Sequence, residues 1–165
     1  MVTDAHTNNT PMTDNARTLT DFMETVWNRG DVDAVDRFLA DAYVIHGDPG
    51  DPWEGKTLSR EEFKHRLLAS RAPFPDLRFQ IAETIAAGDQ VVIAWRMLGT
   101  QTGAMGGVPP TGRPIAVQGM TIYDFRDGLI AGHRQVVDRL GVVQQLGLAG
   151  PRPPAAGEHG PSPHS

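Results

Sequence analysis

The chain has 165 residues, 39% of them hydrophobic, which suffices for one domain with a core and a cavity besides. Its net charge of −5, with only Lys56 and Lys64 as lysines and its arginines scattered, gives no basic footprint for nucleic acid or an anionic membrane. The absence of cysteine excludes disulfides, thiol nucleophiles and cysteine metal sites.

The opening MVTDAHTNNTPMTD is polar and lacks the apolar core of a signal peptide, and no run reaches membrane-spanning length, so a soluble cytoplasmic protein is expected. Residues 1–15 read as a disordered arm, rich in Thr and Asn. From Leu19, apolar residues at Phe22, Met23, Val26 and Trp27 recur at helical spacing. Thr18 or Thr20 is the expected cap, and Asn28-Arg29-Gly30 the stop. A second short helix starts at Asp31 with Val32, Val35, Phe38 and Leu39 inward, and gives way to a strand at Tyr43-Val44-Ile45-His46. Asp31, Asp33, Asp36 and Asp41 read as the solvated face of that helix, because the ligand spacing of a calcium loop is missing.

Gly47 to Gly55 is loop by its Gly, Pro and Asp content. Ser59 followed by Glu61 and Glu62 marks the start of a third helix, with Phe63, Leu67 and Leu68 on one face and an end near Arg71. Strands are expected over Leu77 to Thr84 and Val91 to Leu98. After a Gly- and Pro-rich loop, Ile115 to Phe125 is strand-like and turns at Arg126-Asp127-Gly128 into Leu129 to Val137. Leu140 to Leu146 is a short amphipathic end, and residues 148–165 form a Pro- and Gly-rich tail. Helices first and strands afterwards predict an α+β domain over residues 16–147, three N-terminal helices packing a curved antiparallel sheet.

The segment GTQTGAMGGVPPTGR, then a strand, then DGLIAGHRQVVDRLGVVQQLG, resembles the SnoaL-like polyketide cyclase family of the nuclear-transport-factor-like fold. VWNRGDVDAVDRFLADAYVIHGD looks like that family's opening helices and first strand. The resemblance covers roughly Thr20 to Gly147. It implies a cone-shaped, cystatin-like α+β barrel with a deep apolar pocket, a homodimer through the sheet, and ring closure by intramolecular aldol chemistry without metal or organic cofactor. The ring-closing enzymes place an acid/base aspartate two residues after a histidine, where this chain has His133-Arg134-Gln135. A histidine that assists them on the preceding strand falls at Thr121, and a GTHTG motif reads here with Gln101 in place of its histidine.

Aldol closure needs a base for a proton α to a carbonyl and donors for the enolate that forms. His46, His133 and Asp138 are the titratable candidates, and Gln135, which cannot be a base, can donate from its amide. Strand alternation puts His133, Gln135 and Val137 on one face, and Gly119, Thr121 and Tyr123 on one face of the neighbouring strand. Trp95 and Met97 can wall an aromatic ligand, with Tyr43, Trp27 and Gln101 completing the expected lining. Plainer readings stand beside these: His46 as a hydrogen-bonded strand end, Asp138 as an N-cap, Trp95 and Tyr123 as core, and Gln101 as a satisfier of loop backbone. No metal ligands are expected. The expected activity is a cofactor-independent cyclase or isomerase acting on a polyketide-like small molecule. The alternatives are a non-catalytic ligand-binding or dimerisation module and, with Arg96 as its arginine, an epoxide hydrolase.

Overall fold

The computed structural model describes residues 12–149, so most of the expected N-terminal arm and C-terminal tail lies outside the described residues. Helix α1 (Asp14–Phe22) begins earlier than the periodicity predicts, because Thr13, rather than Thr18 or Thr20, caps it by accepting from the Ala16 N–H at 3.2 Å. It runs on as a π-helical segment, Met23–Asn28, with Arg29 N–H donating to Glu24 O. The second helix, α2 (Val35–Phe38), is a single turn, and strand β1 (Leu39–Gly47) starts four residues before Tyr43. A two-residue strand β2 (Thr57–Leu58) that no sequence signal marked pairs with it. Helix α3 (Arg60–Arg71) opens on a full capping box between Ser59 and Glu62. Its buried stripe is Phe63, Arg66 and Leu67, while Leu68 faces solvent, a correction to the expected face.

Strands β3 (Arg78–Ala87), β4 (Gln90–Thr100), β5 (Pro114–Arg126) and β6 (Leu129–Val137) then form a meander, and α4 (Arg139–Gln145) closes the described fold. The β5–β6 turn at Asp127-Gly128 has positive φ at both residues, the geometry that matches the twist of the flanking strands. The sheet order is β2-β1-β6-β5-β4-β3. All neighbours are antiparallel except β1 and β6, which run parallel, so the expected all-antiparallel sheet is corrected at that one seam. Register shifts at Ile81/Glu83, Asp124/Phe125 and within β1–β6 bend the sheet. Because β2 and β3 do not meet, the curved sheet stays open rather than closing into a barrel.

Alternation decides the rest. Val91, Ile93 and Trp95 of β4 and Val117, Thr121 and Tyr123 of β5 are buried on the concave face, where the helices pack. Phe22 of α1 meets Phe38, Phe63 and Tyr123 with ring centroids 5.8, 6.2 and 6.3 Å apart. Phe63 also lies edge-on to Tyr43 of β1 at 4.9 Å, which ties α3 to the sheet. Each such fully buried side chain contributes roughly 1.5–3 kcal/mol by leaving water.

Candidate functional site

Between helices and sheet the concave face leaves a cavity of about 330 Å³, at the low end of ligand pockets, sized for a compact ring system. Its apolar wall includes Met23, Trp27, Phe79, Trp95, Met97 and Val142. Trp95 owes its pose to Gly119 on β5: a Cβ there would sit 2.3 Å from the indole Cζ2, so only glycine lets the ring lie flat across the strand. Gly119 thus supports the wall from behind and does not line the cavity.

The polar end is built where β1 runs parallel to β6. The register Gly47↔Arg134 carries the chain just past β1 to the side of Gln135, and the first residue there is Asp48. Asp48 is completely buried. Its Oδ2 accepts from Gln135 Nε2 at 2.7 Å and lies 3.4 Å from Arg66 Nη2, while Oδ1 accepts from Arg139 Nη2 at 2.6 Å. Arg139, leading α4, also donates to Pro49 O and packs on Gly50, whose φ of +89° and lack of Cβ make room for it. Burial alone pushes the Asp48 carboxyl upward, but the surrounding His133, Arg139 and Gln135 outweigh it and hold it below the usual carboxylate range.

Donor chemistry fixes how Gln135 points. An indole N–H only donates, so Thr121 Oγ1 accepts from Trp95 Nε1 at 2.8 Å and its O–H donates to Gln135 Oε1 at 3.1 Å. The amide nitrogen therefore faces Asp48 with one N–H, and its second N–H has no partner among the described residues; Gln135 lines the cavity.

His133 is settled by the same reasoning. Its Nδ1 is 2.7 Å from Tyr43 Oη, a hydroxyl with no other hydrogen-bond partner among the described residues. Its Nε2 stands 3.7 Å from Asp48 Oδ2, too far for a hydrogen bond but close enough that a lone pair would face a carboxylate. Both neighbours assign the proton to Nε2, with Tyr43 donating to Nδ1. Burial lowers the imidazole's proton affinity more than Asp48 restores it, so the ring is neutral, and burial keeps Tyr43 and Tyr123 protonated.

Sequence reasoning passed over four charged members of this end: Asp48, Asp51, Arg66 and Arg139. Arg66 is 4% exposed, lies 5.8, 5.8 and 5.9 Å over the rings of Trp27, Trp53 and Phe63, and has an unpartnered buried Nε. The signal available was an arginine three residues after Phe63, on the apolar stripe of α3. Asp51 takes the Trp53 N–H at 2.8 Å on Oδ1 and meets Arg66 Nη2 at 3.3 Å with Oδ2.

The expected residues divide cleanly. Tyr43, Trp27, Trp95, Met97, Thr121, Tyr123, His133 and Gln135 line the cavity. His46 lies on the outer face of the sheet, 3.4 Å from Asp124 and exposed. Asp138 caps α4 by accepting from Gly141 N–H at 2.8 Å. Gln101 is buried in the β4–β5 loop, where Thr111 and the carbonyls of Gly103 and Pro109 use its amide. Arg96 projects from the outer face of β4. Among the described residues no group of three His, Asp or Glu side chains is placed to hold a metal ion. No helix among them is long and apolar enough to cross a membrane.

The family model for SnoaL-like polyketide cyclases matches residues 17–146. A solved protein from Acidithiobacillus ferrooxidans, described as a putative polyketide cyclase, is 40% identical, with a TM-score of 0.80 over 86% of this chain and 99% of its own. TsrD from Streptomyces laurentii is 26% identical, with a TM-score of 0.71 over 86% of this chain and 100% of its own. IdmH from Streptomyces antibioticus, described in the same words, is 28% identical, with a TM-score of 0.68 over 81% and 98%. No curated protein matches the chain.

Proposed function

Because this chain belongs to the SnoaL-like polyketide cyclase family, we propose that it is a cofactor-independent cyclase or isomerase of a polyketide-like or polycyclic ketone, working by aldol-type acid/base chemistry in the concave cavity. The observation that carries this reading is the Gln135 amide, locked by Trp95, Thr121 and Asp48 with one N–H left without a partner among the described residues. A preorganised donor in apolar surroundings stabilises an enolate oxygen without reorganising, and removing one such donor costs about 10²–10³ in kcat. The neutral Nε2–H of His133 backs the same end of the cavity.

The test is ring closure of a soluble aromatic polyketone, followed by absorbance. Gln135→Ala is expected to lower kcat by about two to three orders of magnitude with a small change in KM. No turnover above buffer by the unmodified protein, or an unaffected Gln135→Ala, sinks the proposal.

A second reading, a non-catalytic binding module, is favoured by one feature: the position where ring-closing relatives are expected to carry an aspartate holds Gln135. Tight binding of an aromatic ketone that is recovered unchanged supports it. The epoxide hydrolase reading loses its arginine, since Arg96 faces away from the cavity.

The partner best supported is a second copy of this chain, because the outer sheet face leaves Ile85, Met120 and Val136 exposed. Sedimentation velocity is expected to show a dimer that Val136→Asp together with Met120→Lys turns into monomer.

A further inference from the structure

Resting on the cyclase reading, we infer that Asp51, in the loop after β1, is the catalytic base that replaces the missing carboxylate at position 135. The argument is one of inventory and access. Of the side chains that line the cavity, the proton acceptors are few, and chemistry removes the rest. Gln135 has no basic atom. Tyr43 and Tyr123 stay protonated through burial. His133 offers its Nε2 as an N–H, its other nitrogen being taken by the Tyr43 hydroxyl. Arg66 and Arg139 are cations. Asp48, the other carboxylate at this end, is sealed beneath Gln135, Arg66 and Arg139 and does not reach the cavity. Asp51 is the carboxylate left in the lining.

Its geometry suits the task. Oδ1 is occupied by the Trp53 N–H, which fixes the side chain, whereas Oδ2 meets only Arg66 among the described residues, at 3.3 Å. The same Arg66 nitrogen reaches Asp48 Oδ2 at 3.4 Å, and that oxygen accepts from Gln135. One guanidinium therefore links the base to the anchor of the enolate donor, holding both at one end of the cavity. In the reaction the C–H bond α to a substrate carbonyl breaks and its proton goes to Asp51 Oδ2. The electron pair moves into the enolate, whose oxygen accepts from Gln135. The enolate carbon then bonds to a second carbonyl carbon, and the alkoxide produced takes the proton back from Asp51. Atoms and electrons balance within one substrate, with no redox partner.

The experiment reads proton abstraction directly, using 2-tetralone, a bicyclic ketone with acidic α protons, in D₂O with the full-length protein. The unmodified protein is expected to speed α-deuteration over buffer, and Asp51→Asn to lose about 100-fold or more of that rate while binding the ketone within about threefold. Asp51→Asn keeps an oxygen for the Trp53 N–H but loses the charge that faces Arg66, so a modestly lower unfolding temperature with the fold and ketone binding retained is expected. In Asp51→Ala, added formate is expected to restore part of the exchange, which a purely structural loop residue would not allow. If Asp51→Asn exchanges at the parental rate, the assignment is wrong and the cyclase reading survives. If the unmodified protein gives no acceleration, the cyclase reading fails and takes Asp51 with it.

Discussion

The sheet carries an imidazole–carboxylate pair on each of its faces, and the two behave differently because of where they sit. On the outer face His46 and Asp124 approach to 3.4 Å with side chains 41% and 25% exposed, and Arg134 and Gln90 share the carboxylate. On the concave face His133 and Asp48 stand 3.7 Å apart, yet only 3% and 1% of their side chains is exposed. Distance does not rank them, since neither contact is a hydrogen bond. The outer side chains are partly open to solvent and Asp124 is shared among three partners, and such surface contacts contribute about 0–1 kcal/mol. Inside, with little water at hand, Tyr43 bonds His133 while Gln135, Arg66 and Arg139 gather on Asp48.

The sharpest way to break this contrast is Asp48→Ala. It strands Arg66 with Asp51 as its remaining carboxylate contact and unpins Gln135 and Arg139, and is expected to cost about 3–5 kcal/mol in urea unfolding. A loss below about 1 kcal/mol would show the buried network to be no stronger than the surface one. Next comes Thr121→Val, which removes the link between Trp95 and Gln135 inside the sheet and is expected to cost about 1–3 kcal/mol. Acid titration sharpens the comparison further. His133 binds protons less well folded than unfolded, so its stabilisation is complete above its ordinary value of 6.5 and falls away as pH drops below it. Asp48, also depressed in the fold, adds a second loss in the same direction below 3.8. Urea midpoints measured from pH 7.5 to 3 are expected to fall in two stages, with the upper one absent in His133→Gln. The smallest effect belongs outside: Asp124→Asn should shift stability by no more than about 1 kcal/mol, less still in high salt.

Much of this was readable without coordinates. Ser59 with Glu62 specified the start of α3, Asp127-Gly128 the tight turn, and the period-two runs of β5 and β6 the faces on which Thr121, His133 and Gln135 would lie. These signals are local: caps, turns and alternation act between residues a few positions apart. Other features resisted for an equally physical reason. Asp138 carries the same carboxylate as Asp48, but one caps a helix in contact with water and the other is buried beneath two arginines. His46 and His133 were both candidates as bases, and the parallel seam of β1 and β6 puts them on opposite faces.

The chain by itself determined its class of fold, its strand faces and the residue types available for chemistry, because those depend on periodicity and on neighbours along the backbone. Only the packed structure decided which carboxylate is sealed, which reaches the cavity and which nitrogen of His133 holds the proton. Those outcomes are set by contacts between Tyr43, Asp48, Arg66, Gln135 and Arg139, residues far apart in sequence whose partners exist only once helix and sheet have met.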